Sequence, residues 1–210
     1  MKNPPKTLTF LESEQLIEQL ARHTRSPASI RAAARNKLIG LLMLDAGLRV
    51  GELSKLRFTH LLYAGLPVVN LILNKEITKR NHERTIPLTP KTQAAISIFY
   101  EVAFCQSSID RPLWAFVGRK QDNHITTRQL ERIISNASLA AYGRCTNPHT
   151  LRHTFASRLM RITNIRVVQE LLGHKNLQTT QIYTHPNSDD LSQAINGLSN
   201  GQKQNPKISL

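Results

Sequence analysis

The segment Asn147-Pro148-His149-Thr150-Leu151-Arg152-His153-Thr154-Phe155-Ala156-Ser157-Arg158-Leu159 constrains the fold more than any other part of the chain. Pro148 suits the first turn of a helix, where a missing N–H costs no hydrogen bond. Leu151, Phe155 and Leu159 recur every four residues, so a helix here offers one apolar stripe to a core. His149 and Arg152 stand three apart and share an adjacent face. The spacing predicts a helix anchored by the leucine and phenylalanine stripe, with the His149/Arg152 pair turned outward.

Most of the remaining chain also reads as helical. Leu16, Ile17 and Leu20 predict a helix over 13–23, and Ser26-Pro27 opens a long one ending near Gly47, with Arg49 in the bend that follows. Thr89-Pro90 opens another over about 90–105, Thr126 one reaching about 142, and Asn164 a short one to Leu172. Pro67 to Leu73 and Arg84 to Leu88 read as two strands of a hairpin, with Lys79-Arg80-Asn81-His82-Glu83 in its turn. The expected fold is mixed α/β, predominantly α-helical with a small antiparallel sheet. A length of 210 residues and 40% hydrophobic content suit one domain. The longest apolar run, Leu38 to Leu44, stops at Asp45 and is too short to cross a bilayer, so no membrane role is expected.

Charge narrows the partner. Lys and Arg number 28 against 14 Asp and Glu, a formal net charge of +14 that attracts phosphate backbones. Aromatic residues make up only 5% and the basic residues are spread throughout, which favours a surface that wraps duplex DNA over a stacking binder of single strands. Between Arg22 and Arg57 stand eight Lys or Arg residues and two acids, Asp45 and Glu52, so this stretch is expected to border DNA. Cys105 and Cys145 are isolated and read as reduced thiols. The scattered acids offer no carboxylate cluster for a two-metal nuclease, and His149 and His153, though at a helical metal spacing, make only a pair on that helix, so no metal and no other cofactor is expected.

Two arginines, two histidines and a tyrosine supply another route to phosphodiester chemistry. Charge spreads over the non-bridging oxygens as a phosphodiester is attacked, and planar guanidinium groups match it better than ammonium groups do. A tyrosine titrates near about 10 and needs neighbouring cations or a base to act as a nucleophile at neutral pH. Arg49, His149, Arg152, His174 and Tyr183 are the candidates. Tyr183 lies nine residues after His174.

The strings Asp45-Ala46-Gly47-Leu48-Arg49-Val50-Gly51-Glu52-Leu53, His149-Thr150-Leu151-Arg152-His153-Thr154-Phe155-Ala156-Ser157, Leu171-Leu172-Gly173-His174-Lys175-Asn176 and Thr179-Thr180-Gln181-Ile182-Tyr183-Thr184-His185 resemble, in order and separation, the catalytic domain of tyrosine site-specific recombinases, the phage integrase and Xer group. The resemblance runs from about residue 8 to 198. It implies that Arg49 and Arg152 clamp the phosphate, that His149 and His174 assist proton transfer and phosphate binding, and that Tyr183 is the nucleophile. Glu52 would orient Arg49. The family also places a lysine in a β-hairpin turn to protonate the leaving 5′ hydroxyl. Lys79 matches that place, but Arg80 stands where the family has glycine, which keeps Lys75 as an alternative. Lys75, Arg80, Arg128 and Lys175 are the expected DNA contacts.

The resemblance further implies cutting and rejoining of duplex DNA through a 3′-phosphotyrosyl intermediate at specific recombination sites, for integration, excision or inversion. It implies a homotetramer on DNA, formed from a monomer in solution, in the cytoplasm with the nucleoid. The expected layout is a catalytic domain over 8–186, a segment over 187–198 and a disordered tail over 199–210. In the middle segment Leu191, Ala194, Ile195 and Leu198 form an apolar stripe that needs a groove, within its own protomer or on a neighbour. With Met1 as the start, little precedes the catalytic domain where most members carry a DNA-clamping domain, a layout similar in length to fimbrial phase-variation invertases. An accessory DNA-bending or clamp protein would fill that gap. The alternatives are a type IB topoisomerase-like relaxing enzyme and a DNA-binding regulator that keeps the fold without cutting.

Overall fold

The computed structural model describes residues 6–78, 83–104, 114–118 and 123–173. Elements run in the order α1 (Phe10–Leu20), α2 (Pro27–Leu44), α3 (Val50–Ser54), α4 (Phe58–Leu61), β1 (Leu62–Tyr63), β2 (Leu66–Pro67), β3 (Asn70–Leu73), β4 (Arg84–Pro87), α5 (Pro90–Phe104), α6 (Thr127–Tyr142), α7 (Pro148–Met160) and α8 (Ile165–Leu172). The mixed, mostly helical architecture agrees with the sequence reading.

Helix starts follow local chemistry. The side chains of Ser26, Thr126, Asn147 and Asn164 each accept a backbone N–H in the first turn of α2, α6, α7 and α8, satisfying donors that a helix leaves unpaired. α1 begins earlier than expected and ends at Leu20, before His23. Thr9 and Glu12 form a reciprocal capping box, Thr9 N to Glu12 Oε2 at 2.8 Å and Glu12 N to Thr9 Oγ1 at 3.1 Å, which sets the start at Phe10.

The C-terminal half of α2 is apolar on every side, so it must be covered on every side. Leu38, Ile39, Leu42 and Met43 are fully buried. α1, α5 and α7 pack around it, and α6 closes over α1. Phe58, Phe99 and Phe116 stack in series at centroid separations of 5.8 Å, joining α4 and α5 to the 114–118 segment. A smaller cluster of Phe155, Ala156, Val168 and Leu172 joins α7 to α8.

Among the described residues, two short antiparallel sheets stand where a single one was expected. β3 pairs with β4 in the register Asn70↔Pro87 to Leu73↔Arg84, whereas Pro67 belongs to β2, which pairs with β1. Pro67 has no N–H to give a ladder, and Val68 N turns instead to the Leu61 carbonyl at 3.0 Å, breaking the run that the composition suggested. Leu71, Leu73, Arg84 and Ile86 face inward. The expected hairpin turn at Lys79 and Arg80, and the expected segment 187–198 and tail 199–210, lie outside the described residues.

Candidate active site

Arg49 is reached through a forced bend. α2 ends at Leu44, and Gly47 then takes a left-handed φ of 62°, a conformation that side-chain-bearing residues seldom adopt. A Cβ there would also run into the ring of Phe155, so the bend lies directly against α7. Arg49 caps α3, a short helix that the sequence reading left as bend.

α7 supplies His149 and Arg152. Asn147 Oδ1 accepts the Thr150 N–H at 2.9 Å and Pro148 opens the helix, as the sequence predicted. His149 is exposed in the first turn, but Arg152 is only 6% exposed, which overturns the expectation that both face outward. The reason is tertiary. Arg152 donates from Nη1 to the Gly47 carbonyl and from Nη2 to the Leu172 carbonyl at 2.7 Å, bridging the bend and the end of α8. His153, half-buried on the same helix, has its pKa lowered by burial and then by the neighbouring charges of His149 and Arg152.

The C-terminus of α8 is where the arginines meet. Arg84 Nε donates to the Leu171 carbonyl at 3.0 Å, Arg152 Nη2 to that of Leu172, and Arg49 Nη2 to that of Gly173 at 3.3 Å. Helices leave their last carbonyls unpaired and carry partial negative charge there, so three guanidinium groups answer both needs. Gly173 ends the helix with a left-handed φ of 62°.

Glu52 joins two of these arginines. Its Oε1 accepts from Arg49 Nη1 and from Arg84 Nη1, each at 2.8 Å, and its Oε2 accepts from the Arg49 backbone N–H at 2.8 Å and from Arg84 Nη2 at 2.7 Å. Burial alone would raise the Glu52 pKa, but the hydrogen bonds and charge of Arg84, with those of Arg49, hold it down at about 2. The sequence reading made Glu52 the partner of Arg49. It missed Arg84, whose side chain is 1% exposed. One signal was available: in a strand, Arg84 shares a face with Ile86, an arginine placed where a core residue belongs.

Of the other sequence-derived candidates, Lys75 is exposed in the turn after β3. Arg128 is exposed on α6 and lines, with Gln129, Arg132, Thr146 and Asn147, a groove of about 900 Å³ that reaches the start of α7. Lys79, Arg80, His174, Lys175 and Tyr183 lie outside the described residues. Among the described residues no three His, Cys, Asp or Glu side chains gather in one place.

The helical fold is that of DNA recombinases and integrases of known structure. It superposes on the crystal structure of XerA recombinase with a TM-score of 0.73 at 23% identity, over 97% of this chain and 68% of that one. A XerH site-specific recombinase bound to its difH substrate aligns with a TM-score of 0.71 at 23% identity, over 92% and 54%. The chain belongs to the phage integrase family, whose model matches residues 6–189. It is 30% identical to tyrosine recombinase XerC of Mannheimia succiniciproducens over 91% of this chain and 60% of the relative, and 35% identical to tyrosine recombinase XerD of Rhizobium meliloti over 86% and 57%. The chain thus spans about half to three-fifths of the length of these curated relatives.

Proposed function

We propose that this chain is a site-specific DNA recombinase that cuts and rejoins strands through a 3′-phosphotyrosyl intermediate on Tyr183. The observation that carries this reading is the meeting of Arg49 and Arg152, far apart in sequence, at the end of the helix that leads to Gly173-His174. Family membership and the Xer relatives support it. Arg49 and Arg152 bind the non-bridging oxygens, while His149 and His174 assist the loss of the Tyr183 proton and hold the phosphate. The phenolate oxygen attacks phosphorus, the bond to O5′ breaks, and Lys79, or Lys75 in its place, gives O5′ its proton. One phosphodiester bond is exchanged for another, so a free 5′ hydroxyl can reverse the step without a nucleotide cofactor.

Duplex DNA is the partner in this reading, contacted by Lys75, Arg80, Arg128 and Lys175 and by the groove beside α6, with four protomers on paired sites. The catalytic unit spans 8–186. The 187–198 stripe docks within its protomer or on a neighbour, and a separate protein clamps or bends the DNA. The setting is the cytoplasm, at the nucleoid.

The test is covalent trapping, without metal, on duplexes from the DNA flanking the gene, each nicked so that the cleaved end diffuses away. A denaturant-resistant adduct formed by the wild type and lost in Tyr183→Phe is the expected result. An adduct that survives Tyr183→Phe overturns the nucleophile. Plasmid relaxation at DNA lacking any specific site would redirect the reading to a type IB topoisomerase-like activity, and sequence-specific binding with no adduct on any duplex would favour a non-cutting regulator.

A further inference from the structure

We propose that Arg84 is a positioning residue that balances the charge of Glu52 from the buried side, leaving Arg49 with an uncompensated positive charge for the phosphate. This rests on the function proposed above. Arg84 is 1% exposed on its side chain and Glu52 2%, whereas Arg49 is 34% exposed. Arg84 is therefore too deep to meet a DNA strand and acts only through what it touches.

The charges decide the outcome. Glu52 alone beside Arg49 would make a neutral pair, with the carboxylate competing against any incoming oxyanion for the guanidinium. Arg84 grips both oxygens of Glu52 in a two-pronged contact, 2.8 and 2.7 Å, the geometry that makes arginine–carboxylate pairs strong. The trio then carries a net single positive charge, and its exposed member is Arg49. The third donor, Nε, is spent on the Leu171 carbonyl, so Arg84 ties the β4 strand, the Arg49 bend and the end of α8 with one rigid group. A lysine has one compact ammonium and no such fork. Gly173 packs on it so closely that a Cβ there would lie 3.0 Å from Arg84 Cδ.

The test uses the full chain as wild type, Arg84→Met, Arg84→Lys and the double variant Arg84→Met/Glu52→Gln, each first checked for folding by circular dichroism and thermal unfolding. Inorganic pyrophosphate is the anion probe, read by NMR of the Arg49 Nε–H. Arg84→Met should weaken the pyrophosphate response of Arg49 about tenfold, and the double variant, which removes both buried charges, should recover most of it. Arg84→Lys should fall between, and it carries the test if Arg84→Met does not fold. On nicked duplexes Arg84→Met should slow adduct formation about 100-fold, the size seen when a transition-state donor is lost, with DNA affinity nearly unchanged. An Arg49 that ignores pyrophosphate in the wild type, or responds alike in wild type and in folded Arg84→Met, overturns the proposal. So does a double variant no better than Arg84→Met. Absence of an adduct in the wild type counts against the recombinase reading alone, because the pyrophosphate arm needs no recombination site.

Discussion

α2 and α8 are held to the molecule by opposite means. α2 is wrapped in apolar side chains, with Leu38, Ile39, Leu42 and Met43 out of contact with water. α8 buries only Val168 and Leu172 fully, and its last two carbonyls and that of Gly173 after it are each taken by a different arginine. Apolar burial is non-directional and tolerates small shifts, whereas hydrogen bonds from a planar guanidinium fix both distance and orientation. The helix that ends beside the candidate active site is thus set by directional polar ties, and the helix that carries the core by bulk. The consequence is that the two regions give way to different perturbations, the core to a cavity and the polar ties to acid.

The largest effect should come from the apolar side. Leu42→Ala removes a fully buried side chain from the middle of α2 and should cost about 3 kcal/mol, with near-ultraviolet and far-ultraviolet signals lost together in denaturant. A loss well under 1 kcal/mol would mean that α2 is not the centre of the core.

The polar side should fail in acid. The Glu52 carboxyl sits at about 2 in the folded chain, below the ordinary 4.5, so the unfolded chain takes up its proton first as pH falls. The stability from this group is complete above about pH 4.5 and disappears progressively toward about pH 2, on the order of 3 kcal/mol in all. Glu52→Gln should flatten that limb of a stability-against-pH curve, and an unchanged acid limb would show that the arginine ties contribute little.

Gly47→Ala probes the bend where the two regimes meet. The substitution sets a Cβ against Phe155 at a left-handed φ, and should cost about 2 kcal/mol. Its effect on adduct formation should exceed its effect on thermal unfolding, since Arg152 holds the Gly47 carbonyl. Equal effects on both would erase the distinction drawn between core and site.

The smallest effect belongs to His153. Its pKa is lowered by burial, helped by the charges of His149 and Arg152, so the unfolded chain binds this proton more readily. Stability should therefore decline gently as pH falls below the ordinary histidine range, and His153→Gln should remove that slope without touching the deeper loss assigned to Glu52.

Much of the fold was readable from short stretches because the determinants are short. A cap such as Ser26 or Asn164 and the hydrogen bond it makes lie within one turn, and Pro148 marks the start of α7, so four helix starts were legible one residue at a time. The same local signal existed at Thr9 and Glu12, three apart, and went unread. Pro67 misled because β-branched neighbours outweighed its missing N–H. Arg49 and Arg152 were singled out by the chemistry that phosphate requires, but the inward turn of Arg152 depends on carbonyls 105 and 20 positions away in sequence.

The sequence by itself singled out candidate residues for the chemistry, and it determined where most helices begin and that Gly47 and Gly173 follow helix ends, because capping and backbone conformation are settled between near neighbours. Only the tertiary structure decided that Arg84 lies at the heart of the site and that three guanidinium groups converge on one helix end. An arginine in a strand specifies a charge and a face. What that charge meets is set by the packing of α3, β4 and α8, through contacts spanning 32 positions to Glu52 and 87 to Leu171, which no local pattern encodes.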